Sequence, residues 1–253
     1  MTGPAALVTG ARRGIGRATA VALAQTGMRV AVTSRTVSGL ADTVDDIEAA
    51  GGSALPIELD LSNRASIDAT LEQVHRAWGP LDVLVNNALC EQPASQDLIA
   101  QMDFAAFETM IAGEVVNTSY LTRQAIAYRP DTSGPLTVIV VGSAAADHVP
   151  PKPYGQGGFA FSYSASKAAL HRLAAFLQLE YGLPKVRAFT INPGVVRTEA
   201  LLEHLGDIPG SAPASLPAAV IKWLAVDPAA DAHLGGYLHA QTIAADLGLR
   251  LDS

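Results

Sequence analysis

Short apolar runs recur along the chain, separated by stretches whose apolar residues fall at helical spacing, and this alternation restricts the fold more than any other feature. Val138-Ile139-Val140-Val141 and Leu81-Asp82-Val83-Leu84-Val85 are almost continuously apolar, as parallel strands covered on both faces must be. Strands are predicted near residues 5–9, 28–33, 54–58, 81–86, 136–142, 185–191 and 237–243. Helices are predicted near 14–26, 38–50, 64–78, 104–128, 162–181 and 216–225. The first of these sets Ile15, Ala18, Thr19, Ala22 and Leu23 on one face. Strands alternating with helices assemble βαβ units, so the expected class is α/β, a doubly wound sheet of about seven parallel strands with helices on both faces. A length of 253 residues suits a single domain spanning 1–253.

The turn after the first strand narrows the reading. Thr9-Gly10-Ala11-Arg12-Arg13-Gly14-Ile15-Gly16 joins a strand to a helix. Glycines there permit a tight turn and a close backbone approach to a pyrophosphate, and the helix offers free N–H groups to the anion. The pattern predicts a Rossmann-type dinucleotide site. An NAD site carries an acidic residue about twenty residues past the glycines, bonding the ribose 2′-hydroxyl. Here the second strand ends Val32-Thr33-Ser34-Arg35, and no Asp or Glu occurs from Met28 to Leu40. Arg35 suits a 2′-phosphate, with Arg13 of the glycine turn within reach of the same group, so NADP(H) is the expected cofactor.

Composition excludes several other classes. The chain is 49% hydrophobic and 16% charged, enough to bury a large core. Its net charge of −7, with positive residues scattered, argues against a nucleic-acid partner. No uncharged apolar run approaches the roughly eighteen residues that span a bilayer, so no membrane role is expected. The first strand begins almost at the start, leaving no room for a signal peptide, and one cysteine, Cys90, cannot form an internal disulfide. Both point to the cytoplasm. The histidines show no HExxH spacing, and no metal site is expected.

Tyr163-Ser164-Ala165-Ser166-Lys167 opens an apolar helix and sets the phenol and the amine one turn apart on one face. Phenols titrate near 10. An ammonium about 4 Å away stabilises a phenolate by about 4 kcal/mol at an effective dielectric near 20, which is close to three pH units. That brings proton exchange toward neutrality. Ser143, at the end of the strongest strand, is placed to hold a substrate oxygen.

Thr9-Gly-x-x-x-Gly-x-Gly16, Asn86-Asn87-Ala88, Ser143, Tyr163-x-x-x-Lys167 and Pro193-Gly194 occur together and in this order over about residues 5–245. In this the chain resembles the short-chain dehydrogenase/reductase family. The resemblance implies hydride transfer between NADP(H) and a small carbonyl or alcohol substrate, with ketone reduction the favoured direction. It implies Tyr163 as general acid in reduction, Lys167 bonding the nicotinamide ribose and Ser143 orienting the carbonyl. The cofactor would be held by Gly10, Arg12, Arg13, Gly14, Ile15 and Gly16, by Ser34 and Arg35, and by Asp60 and Leu61 at the adenine. Asn87 and Ala88 would line the adenosine side, and Pro193, Gly194, the Val196 backbone and the Thr198 hydroxyl would hold the carboxamide. A homo-dimer or homo-tetramer is implied, built on the helix near 162–181, which is apolar on several sides.

Two departures stand out. Leu89 follows Asn86-Asn87-Ala88 where the family writes glycine, and the place of the family's catalytic asparagine falls on Glu114, with Asn117 one turn away as the alternative. They motivate a second functional class, a family member with lyase or isomerase chemistry or a non-catalytic binding role. Two stretches rich in Pro and Gly, 144–161 and 199–217, read as loop insertions beyond strand ends, where open α/β sheets bind ligands. Within the first, His148, Tyr154, Phe159 and Phe161 either line a pocket or pack a lid.

Overall fold

A computed structural model of the chain describes residues 3–90, 97–130 and 132–249. The first half runs β1 (Ala5–Val8), α1 (Gly14–Ala24), β2 (Arg29–Ser34), α2 (Ala41–Ala49), β3 (Ser53–Glu58), α3 (Arg64–Trp78) and β4 (Val83–Asn86). The second continues with α4 (Phe104–Ile111), a π-helical segment (Ala112–Asn117), α5 (Thr118–Ala127), β5 (Leu136–Val141), α6 (Phe161–Glu180) and β6 (Val186–Asn192). Then follow β7 (Val196–Arg197), α7 (Glu199–Leu205), β8 (Ala212–Pro213), α8 (Ser215–Val226), β9 (Tyr237–His239) and α9 (Ala240–Asp246).

Seven strands form one parallel sheet in the order β3-β2-β1-β4-β5-β6-β9, as the alternating pattern predicted. After β3 the chain returns past β1 and pairs on its other edge, so the order reverses between β1 and β4. A crevice opens at the carboxyl ends of strands where the order reverses. The glycine turn after β1 and the Asn86-Asn87-Ala88 turn after β4 both meet there.

Burial explains the near-continuous apolar strands. Along β1 and β5, Ala6, Val8, Ile139 and Val141 pack toward Leu23, Ile47, Val220 and Leu224 on one face. Leu7, Val138 and Val140 pack toward Ile67, Leu121, Leu170 and Leu177 on the other. Each such valine, leucine or isoleucine contributes about 1.5–3 kcal/mol by leaving water. Arg187, buried on β6, clamps the far edge: its guanidinium bonds Asp231 at 2.6 Å, Thr137 Oγ1 at 3.1 Å and the Asp227 carbonyl at 3.1 Å.

Three expectations need correction. The strand predicted over 237–243 ends at His239, and Ala240–Asp246 is helical. Only Tyr237–His239 has a partner, Thr190–Asn192, because the chain leaves the sheet at Pro193-Gly194. Ala240, Ile243 and Ala244 then bury at helical spacing. The helix predicted over 104–128 is three consecutive segments, its middle wound as π-helix. The stretch 199–217, read as irregular, contains α7, capped by Thr198 Oγ1 accepting from Leu201 N at 3.2 Å, and the start of α8.

Candidate active site

The glycine turn is locked from below. Thr9 Oγ1 accepts from the N–H groups of Asn87 and Ala88 at 2.9 and 3.0 Å, and Asn87 Nδ2 donates to the carbonyls of Thr9 and Gly10 at 2.9 and 3.1 Å. Asn87 is thus part of the turn's scaffold. Gly10 and Gly14 hold φ of +66° and +59°, a region that L side chains rarely adopt. A side chain at Gly16 would collide with Asn87 Nδ2, 2.6 Å from where its Cβ would sit, and with the Gly10 carbonyl. The bare backbone that leads into α1 is the kind of cradle a pyrophosphate needs.

Across the turn lies the segment after β6. Gly194 N donates to Asn192 Oδ1 at 2.9 Å, and Gln241 Nε2 donates to the Pro193 carbonyl at 2.9 Å. Val196 is buried, and the Thr198 methyl packs over Gly14. Arg13 Nη1 reaches Glu203 on α7 at 2.6 Å, so the guanidinium expected near a 2′-phosphate is engaged on the α7 side. The Arg12 stem instead lies against Gly39, in the turn following β2. Arg35 is exposed at the end of that strand, and Ser34 Oγ donates to the Thr36 carbonyl at 2.5 Å. At the third strand's end, exposed Asp60 accepts from Ser62 N at 2.8 Å, and the Leu61 carbonyl accepts from Asn117 Nδ2 at 2.7 Å.

The candidate chemistry gathers at the carboxyl end of β5. Ser143 leaves the strand in extended conformation and its Oγ accepts from Ala145 N at 3.2 Å, capping a short 3-10 turn. Helix α6 runs beside it. Lys167 is only 5% exposed; its Nζ donates to the Val141 carbonyl at 3.4 Å and lies 5.8 Å from the centroid of the Tyr163 ring. The one-turn spacing therefore sets the ammonium under the phenol, inside the protein. Phe159, half exposed, flanks Tyr163 with ring centroids 6.0 Å apart, and Phe161 packs at 5.8 Å from Phe107. His148 pairs with Asp147 at 3.0 Å, which raises the imidazole above its ordinary range.

Of the two substitutes for an asparagine, the geometry selects one. Glu114 is fully buried, with Oε1 2.6 Å from Lys167 Nζ. Asn117 faces away, bonded to the Leu61 carbonyl and to Arg64 Nε at 3.1 Å. Leu89 stands 40% exposed.

Tyr237 on β9 was not anticipated. Its phenol donates to the Ser143 carbonyl at 3.0 Å, and its ring stacks on His171 of α6 at 3.8 Å between centroids. The partners lie 94 residues apart, and no local pattern announces such a contact.

A family model described as short chain dehydrogenase matches residues 4–205. The ketoacyl reductase HetN of Nostoc sp. (strain PCC 7120) is 32% identical over 198 residues; the match covers 78% of this chain and 64% of that protein, just under two thirds of its length. Among solved structures, actinorhodin polyketide ketoreductase with NADPH superimposes with a TM-score of 0.81 at 25% identity, over 94% of this chain and 95% of that one. The 3-oxoacyl-[acyl-carrier protein] reductase of Brucella melitensis in complex with NAD gives 0.80 at 25% identity, over 95% and 96%. The chain belongs to the short-chain dehydrogenase/reductase family and is an oxidoreductase of the nicotinamide-binding kind.

Proposed function

We propose that the protein is an NADP(H)-dependent carbonyl reductase acting on a ketone, with Ser143, Tyr163 and Lys167 as its catalytic residues. The observation that carries this reading is the buried Lys167 ammonium 5.8 Å from the Tyr163 ring, beside the Ser143 turn. In reduction, the Ser143 and Tyr163 hydroxyls hold the carbonyl oxygen, and Tyr163 gives its proton to that oxygen as negative charge develops. Lys167 stabilises the phenolate left behind. Bound NADPH would supply the hydride. Gly10, Gly14, Ile15 and Gly16 would cradle its pyrophosphate, Asn87 and Ala88 would flank the adenosine, and Pro193, Gly194, Val196 and Thr198 would face the carboxamide.

The phosphorylated dinucleotide is favoured by the exposed Arg35 at the end of β2, by the Arg12 stem lying along the adjoining turn, and by the absence of a carboxylate on that strand end. The half-exposed Phe159 beside Tyr163 favours a ketone bearing an apolar substituent. Phe176 and Leu179, 54% and 81% exposed on α6, support association of copies through that helix. Among the described residues no helix is long and apolar enough to cross a membrane.

The test is loss of NADPH absorbance against a panel of ketones. Tyr163→Phe should lower turnover by roughly 10²–10⁴-fold while leaving NADPH binding intact. Turnover that survives the change would sink the mechanism and favour the altered-chemistry reading that Glu114 and Leu89 motivate.

A further inference from the structure

A lysine ammonium with 5% of its surface exposed is costly unless a counter-charge accompanies it into the interior. Here Glu114 does so. Its side chain has no solvent exposure, Oε1 sits 2.6 Å from Lys167 Nζ, and among the described residues Oε1 has no hydrogen-bond partner apart from that ion pair. The other oxygen, Oε2, accepts from Cys90 N at 3.1 Å. One carboxylate therefore joins the lysine to the loop after β4.

Local structure is arranged around this pair. Glu114 lies in the π-helical segment Ala112–Asn117. Such segments are short insertions within α-helices, found frequently at functional sites. Its neighbour Gly113 has no side chain, and the Cys90 side chain occupies the space a Cβ would fill, which lets the Leu89-Cys90 backbone approach the carboxylate. Asn117, in the same segment, is engaged with Leu61 and Arg64 and does not compete.

We propose that Glu114 is a positioning residue: its carboxylate is the buried counter-charge that keeps Lys167 an ammonium aimed at Tyr163, and it couples that lysine to the loop after β4. The inference rests on the reductase reading for its kinetic consequence but not for its electrostatics. Burial drives Lys167 toward losing its proton; the charge of Glu114, then that of Tyr163, more than reverse this, and the amine titrates above the ordinary lysine value. Among the described residues, the ionisable groups acting on the amine are Glu114 from the π-helical segment and Tyr163 from its own helix, while the loop after β4 reaches the carboxylate through the Cys90 backbone. Asp147, 3.5 Å from the Tyr237 hydroxyl, acts on His171 and on Tyr237.

The experiment follows the Lys167 side chain by NMR in cofactor-free protein carrying ¹³C-labelled lysine. In Glu114→Gln the amine should lose its proton at least about one pH unit below the wild-type midpoint, because burial is then unopposed. Glu114→Asp, which keeps the charge, should restore most of the difference; Glu114→Asn, neutral and smaller, takes the place of the glutamine variant, with the same outcomes, if that one does not fold. A midpoint unchanged by Glu114→Gln, or lowered as far by Glu114→Asp, overturns the proposal. In protein that reduces a ketone, Glu114→Gln should cost roughly tenfold or more in kcat with little change in KM for NADPH, and should cost nothing further in a Lys167→Met background. Equal losses in both backgrounds also overturn it. If wild-type protein reduces no ketone, the reductase reading falls, and the lysine titration still decides the role of Glu114.

Discussion

The phenol of Tyr237, on the last strand of the sheet, donates to the backbone carbonyl of Ser143 across 3.0 Å. This bond ties the turn bearing the candidate substrate-orienting hydroxyl to β9, while the stack on His171 ties the same ring to the helix that carries Tyr163 and Lys167. Tyr237→Phe removes the bond and keeps the ring. It should lower kcat about three- to tenfold, the value of one hydrogen bond of about 1 kcal/mol, and leave the Kd for NADPH unchanged. Steady-state kinetics beside a fluorescence titration of the cofactor checks both halves.

The same phenol should be visible in alkali. Burial, reinforced by the charge of Asp147, pushes Tyr237 up to about 12. A group whose folded value is raised contributes stability that is complete below its unfolded value near 10 and is lost as pH rises through the folded value. Absorbance titration should therefore show one phenol ionising near the end of the curve, missing from Tyr237→Phe. Denaturant midpoints should fall between pH 10 and about 12, and fall less in the variant.

Arg35 is exposed at the end of β2, so its loss should leave the fold intact. Arg35→Ala should raise the Kd for NADPH about ten- to hundredfold, as expected for a charge-assisted bond of about 1.5–3 kcal/mol. Binding of NADH should change little. Equal weakening of both cofactors would place the guanidinium's contribution elsewhere than a 2′-phosphate.

Gly113 is a packing site within a helix. An added Cβ would overlap the Cys90 side chain. Gly113→Ala gains helix propensity yet should destabilise by about 1–3 kcal/mol through the overlap. Cys90→Gly in the same chain should recover most of this, a non-additivity readable in denaturant midpoints.

Much of this architecture was legible in the residues alone. Continuous apolarity in Val138-Ile139-Val140-Val141 specifies a strand covered on both faces, and helical spacing correctly marks a helix after the first strand, although the face it buries is Gly16, Thr19, Ala20, Leu23 and Ala24 rather than the predicted Ile15, Ala18, Thr19, Ala22 and Leu23. The glycine turn and the Tyr163–Lys167 spacing are likewise local. Backbone sterics and one turn of helix settle them within a few residues. Boundaries that depend on a partner were not legible: residues 240–243 read as strand until the structure left them without a neighbour to pair with.

The choice between Glu114 and Asn117 was decided only by tertiary structure. Both lie within one turn of the same helix, and sequence spacing cannot tell which faces Lys167. The π-helical winding and the missing side chain of Gly113 turn Glu114 inward, where a buried ammonium requires a counter-charge. Tyr237 and Arg13 taught the same lesson, since their partners Ser143 and Glu203 lie 94 and 190 residues away. Local sequence determines which shapes a segment favours; which charges and hydroxyls meet across such distances is set by how those segments pack.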